Sequence, residues 1–120
     1  METKDKETVR EFRSLTDTPA NIRAWIDPAN REVREMASLE DGEETPSGRF
    51  HAERVLELLD KKSENWTEDD LDFAQRVIRY AHRSAGIAEH HPHREAAEVG
   101  NTGMTKNEIA RSNWGLPARP

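Results

Sequence analysis

Between Phe73 and Ala88 the only formally charged side chains are Arg76, Arg79 and Arg83. Their i, i+3, i+7 spacing puts all three on one side of a helix, opposite the apolar positions of the same segment. A row of guanidinium groups is suited to neutralising a phosphate backbone. His82 lies beside the row, and Lys61 and Lys62 end the preceding segment, so several cations can converge there. Two plainer readings fit the same spacing. The arginines can form the ordinary solvated face of an amphipathic helix, or pair with Glu53 and Glu57 across a bundle. The pI near 5.4 is low for a nucleic-acid-binding domain, so any basic character has to be local.

Other chemistry has less support. His82, His90, His91 and His93 place four imidazoles in twelve positions, with Glu89 and Glu95 nearby. Imidazole suits zinc or nickel, but Pro92 denies His90, His91 and His93 the i, i+4 geometry that puts two ligands on one helical face. A solvated loop that gains charge below about pH 6.5 is the simpler reading, and no metal is expected. No G-x-S-x-G elbow, H-E-x-x-H pair, P-loop or G-x-G-x-x-G turn occurs, and the carboxylates lie in charge-rich stretches that give no cause for a raised pKa. The expectation is a protein that is not an enzyme and uses no cofactor. Trp66 sits in a turn between charged residues, either packed beneath it or exposed to a partner. With the acidic run that includes Glu43 and Glu44, it defines an alternative function, a protein–protein adaptor that binds no nucleic acid.

These residues must be positioned by a small core. The chain has 120 residues, 33% of them hydrophobic and 35% charged, with a mean hydropathy of -1.01. That length suits one domain, 1–120. The net charge of -6 is localised: residues 1–60 carry 9 basic and 15 acidic side chains, whereas residues 61–120 carry nine of each. Without cysteine there are no disulfides and no thiolate sites, which fits a reducing compartment. Apolar runs of two or three residues are far short of the roughly 20 needed to span a bilayer, and the first residues lack a secretory signal. A soluble, cytoplasmic protein without membrane contact is expected, with nucleoid or nuclear association under the nucleic-acid reading.

The apolar spacing predicts helices throughout. Val9, Phe12 and Leu15 form one stripe over 4–15. Thr18-Pro19 opens a second helix carrying Ile22, Trp25 and Ile26, which Asp27-Pro28 stops. A weaker segment, 29–39, carries Val33, Met36 and Ala37 and leads into an acidic loop over 40–47. Thr45-Pro46 then repeats the start signal for a helix to about 62, with Ala52, Val55, Leu56, Leu58 and Leu59 on its buried side. Thr67-Glu68-Asp69-Asp70 resembles a capping box and opens 67–84, whose buried face is Leu71, Ala74, Val77, Ile78 and Ala81. Residues 86–104 read as an irregular, His-rich, flexible linker. A second capping box at Thr105 and Glu108 opens 105–117, which packs back through Trp114. The predicted architecture is an all-α bundle of four to six short helices around a central antiparallel hairpin of 45–62 and 67–84. Its ordered core covers about 7–85, and Trp114 anchors the C-terminal segment. The oligomeric state is left open.

Several short motifs occur in a characteristic order. They are Thr18-Pro19 with Ile22, Trp25 and Ile26; Ser47-Gly48-Arg49 before Val55-Leu56-Glu57-Leu58 and Lys61-Lys62; Thr67 to Leu71; Val77-Ile78, Tyr80 and His82-Arg83; and Asn113-Trp114-Gly115. In this the chain resembles a family of short bacterial and fungal proteins known only as a domain of unknown function, whose members are often labelled DNA-binding. The resemblance covers about 9–117. It implies no catalytic residue and a nucleic-acid role, placed here on Ser47, Arg49, Lys61, Lys62, Arg76, Arg79 and Arg83. Two features depart from the family pattern. Leu116-Pro117 stands where a His-Asp-Pro ending is usual, and the His90-His91-Pro92-His93 run is peculiar to this chain.

Overall fold

The structure, a computed structural model, describes residues 3–34, 51–90 and 102–119. Five α-helices account for most of them: α1 (Thr3–Leu15), α2 (Pro19–Trp25), α3 (Ala52–Asp60), α4 (Glu68–His90) and α5 (Lys106–Asn113). Short 3-10 turns cover Pro28–Asn30 and Ser63–Asn65, and residues 31–34 are again helical. Among the described residues there is no strand, so the all-α expectation holds. The acidic loop, Met36, Ala37 and the Thr45-Pro46 start signal lie outside the described residues.

Local chemistry explains most helix starts. The Thr18 hydroxyl accepts from the Asn21 amide at 3.2 Å, with Pro19 in the first turn. At α4 the cap is reciprocal: the Asp70 amide donates to Thr67 Oγ1 at 3.2 Å, and the Thr67 amide donates to Asp70 Oδ2 at 2.9 Å. Thr105 and Glu108 repeat this arrangement at α5. Each cap satisfies amides that the first turn of a helix leaves without an internal acceptor.

Three features differ from the sequence expectation. The helix expected over 45–62 is not continuous through His51, whose amide donates to the Asn113 carbonyl at 2.7 Å and which stands outside α3 as its N-cap; residues 45–50 lie outside the described residues. Residues 86–90, expected to be irregular, continue α4 as far as His90. A lone glycine at 86 costs about 1 kcal/mol in a helix, too little to end a segment that resumes with Ile87, Ala88 and Glu89. The third difference concerns packing. α4 lies most extensively against α1, with α2 against α3 and α5 against α4, so the hairpin partner α3 is not its closest companion.

The core lies where these helices meet. Phe12, Val55, Leu58, Phe73, Val77, Ile109 and Leu116 are fully buried. Each such side chain contributes about 1.5–3 kcal/mol on leaving water. Trp66 packs edge-on against Phe12, with ring centroids 5.5 Å apart. Trp114 stacks on Tyr80 at 4.6 Å and meets His51 at 4.3 Å, closing the far end as expected.

Candidate functional site

The outer side of α4 carries a single straight stripe of charge. Asp69, Asp72, Arg76, Arg79 and Arg83 follow at intervals of three and four residues and are all exposed. The helix holds them there because Phe73, Ala74, Val77 and Ala81 are buried on the other side. The first two turns are therefore acidic and the next two basic.

The arginines are held differently. Among the described residues Arg76 and Arg79 make no ion pair or hydrogen bond, and neither pairs with Glu53 or Glu57. The Arg83 guanidinium lies over the Tyr80 ring, 5.3 Å from its centroid. Burial pushes the Tyr80 phenol up to about 12, against the opposing influence of Arg111 and Arg83.

The other expected cations divide. Lys61 is committed to Asp70, with Nζ 2.8 Å from Oδ2. Hydrogen bonds from Lys61 and from the Thr67 amide hold that carboxyl below its usual value despite burial. His82 faces Glu11, Nε2 to Oε1 at 3.0 Å. Lys62 is exposed at the start of the 3-10 turn that precedes α4. Ser47 and Arg49 lie outside the described residues, as do Glu43 and Glu44 of the alternative surface and His91 and His93. His90 ends α4. Among the described residues no group of three His, Asp or Glu side chains could hold a metal ion. Trp66 is buried beneath its turn, with Nε1 donating to the Lys61 carbonyl at 3.4 Å, so it offers no exposed surface to a partner.

A second polar constellation was not foreseen. Arg111, 3% exposed, donates from Nη1 to the Ala81 carbonyl and the Ser84 hydroxyl, and from Nε to the Pro117 carbonyl at 2.9 Å. Asn113, fully buried, accepts from Trp25 Nε1 at 3.1 Å and donates to the Arg34 carbonyl at 2.9 Å. Gly115 has φ +75°, and its carbonyl accepts from the Asp17 amide at 2.9 Å. The available signal was a short helix with only Ile109 and Ala110 as apolar residues, followed by Trp-Gly, since a helix that buries so little apolar surface needs its polar groups satisfied by packing.

Beside this constellation a cleft of about 280 Å³ is lined by Asp17, Asn21, Trp25, Asn30, Ser112 and Leu116 among others. Its polar groups are engaged in the fold: Asp17 Oδ1 accepts from Thr18 N and Asn21 Nδ2, and Asn30 Nδ2 donates to the Ala24 carbonyl. The α4 stripe is thus the stronger candidate. No helix among the described residues is long and apolar enough to cross a membrane.

No curated protein and no solved structure matches the chain significantly. A family match does cover residues 11–108, from the buried stripe of α1 through all of α4 to the capping box of α5. By that match the chain belongs to the family described as Protein of unknown function (DUF3140).

Proposed function

We propose that this protein is a non-enzymatic binding protein whose α4 stripe contacts nucleic-acid phosphate without strong sequence preference. One observation carries the reading: Arg76 and Arg79 are exposed and have no partner among the described residues. An unpaired guanidinium has no intramolecular ion pair to give up when a phosphate arrives, and its planar fork can meet two phosphate oxygens at once. Arg83, resting on Tyr80, extends the row by one turn. The adaptor reading loses its aromatic anchor with the burial of Trp66.

The test is fluorescence anisotropy of labelled nucleic acid at about 50 and 200 mM salt, with the Arg76→Glu/Arg79→Glu/Arg83→Glu variant alongside. Binding that weakens more than about tenfold with salt and vanishes in the variant is expected. Absence of binding at the lower salt overturns the reading.

A further inference from the structure

Resting on the phosphate reading, we infer that the ligand of this face is double-stranded nucleic acid, gripped by Arg76, Arg79 and Arg83 and held off the first two turns of α4 by Asp69 and Asp72. The observations concern what surrounds the arginines as much as the arginines themselves.

Single strands are bound by proteins that offer aromatic faces for unstacked bases as well as cations for the backbone. Here Phe12, Trp66, Phe73, Tyr80 and Trp114 are all buried. Trp25 is half-buried, with its indole N–H committed to Asn113. Tyr80, the aromatic ring nearest the stripe, is doubly covered, by Trp114 on one side and by Arg83. A ligand at this face therefore meets cations with no stacking platform beside them among the described residues. That chemistry suits a duplex, whose bases stay stacked and whose phosphates are the accessible groups.

The stripe also sets where the backbone lies. Arg76 to Arg83 spans about 10 Å at the rise of a helix, room for two or three phosphates. On the same line Asp69 and Asp72 continue toward the N-terminus of α4, both exposed. A duplex lying along the whole helix would bring phosphates against these carboxylates, so the backbone has to cross α4 at its basic half. A contact of two or three phosphates gives a log–log salt slope of about -2 to -3 on duplex DNA.

The experiment compares the full chain on a duplex DNA of about 20 base pairs and on its separated strand, by anisotropy across a salt series. Asp69→Asn/Asp72→Asn is tested beside the wild type, with helicity checked by circular dichroism. The single variant Asp72→Asn serves if the double variant is misfolded. Duplex binding at least fivefold tighter than strand binding, with a slope in that range and about threefold tighter binding by the neutralised variant, is the expected result. Strand binding equal to or tighter than duplex binding overturns the inference and leaves the phosphate reading standing. Unchanged affinity in the neutralised variant overturns the role of the acids. Failure of both nucleic acids to bind removes the phosphate reading, and the inference with it.

Discussion

Arg111 and the pair Arg76 and Arg79 belong to opposite sides of α4. Arg111 is buried against that helix, with the Ala81 carbonyl and the Ser84 hydroxyl as acceptors, while Arg76 and Arg79 stand in solvent on its outer side. A guanidinium leaving water has to be met by acceptors or its burial is severely unfavourable, and α4 and Pro117 supply them. The exposed arginines needed no such provision to fold. Polar groups at the C-terminal end of the molecule are thus consumed by architecture, whereas those on the outer stripe remain available to a ligand. Tyr80 separates the two regions, with Trp114 stacked on its ring and Arg83 over it.

The sharpest way to break the architectural region is at Gly115. A Cβ there would lie 2.7 Å from Val55 Cγ1, and φ is +75°, a conformation that side chains other than glycine resist. Gly115→Ala is expected to destabilise by about 3 kcal/mol, from the left-handed backbone and the overpacking together. Thermal unfolding should show a fall of about 10 °C. An unchanged melting temperature would mean that Val55, fully buried, can shift aside at little cost.

The Tyr80 phenol offers a second break, by pH. Burial raises it from 10.0 to about 12, so the folded state favours the neutral form. Its contribution is complete below pH 10 and is lost as pH rises through 12, amounting to about 2–3 kcal/mol over that window. Tyr80→Phe should unfold less readily than the wild type across this range, and the wild-type phenol should ionise late when followed by ultraviolet absorbance. Equal alkaline unfolding of the two proteins would show that Tyr80 ionises as readily folded as unfolded.

Asn113 provides the third. Its side chain joins the Trp25 indole to the Arg34 carbonyl, and its own carbonyl receives the His51 amide. Asn113→Ala keeps the last of these and leaves the first two groups without their partner. A loss of about 2 kcal/mol is expected by denaturant titration. Trp25 fluorescence should change even in the folded baseline.

Which of these features the sequence disclosed follows from the range of the forces involved. Thr18, Thr67 and Thr105 were legible as helix starts because each cap closes within three residues. Trp114 was legible as an anchor because an indole so large has few alternatives to burial. The start of α3 was not, since His51 at its N-cap is tied by a hydrogen bond to Asn113, far away in sequence. Arg111 was indistinguishable from a surface arginine until α5 was set against α4. The same limit applied to the stripe: spacing aligned Arg76, Arg79 and Arg83, but only the positions of Glu53 and Glu57 in space determine that neither takes Arg76 or Arg79 as a partner.

The smallest expected effect sharpens the comparison from the other side. Arg76→Gln/Arg79→Gln replaces two exposed side chains by ones of similar helix propensity. It also removes a like-charge pair three residues apart, which in an isolated helix is unfavourable by a few tenths of a kcal/mol. The loss of the favourable spacing of Asp72 and Arg76, four residues apart, offsets that relief, so stability should stay within about 0.5 kcal/mol of the wild type. Arg111→Met, a change of similar bulk, abandons the Ala81 carbonyl, the Ser84 hydroxyl and the Pro117 carbonyl at once, and should lower stability by several times that amount. Measured side by side in urea, the two variants separate arginine that holds the fold from arginine that the fold merely displays. A loss above about 1 kcal/mol in the outer pair would mean that these guanidiniums also serve the architecture, and the stripe would lose its claim to be a surface held in reserve for a ligand.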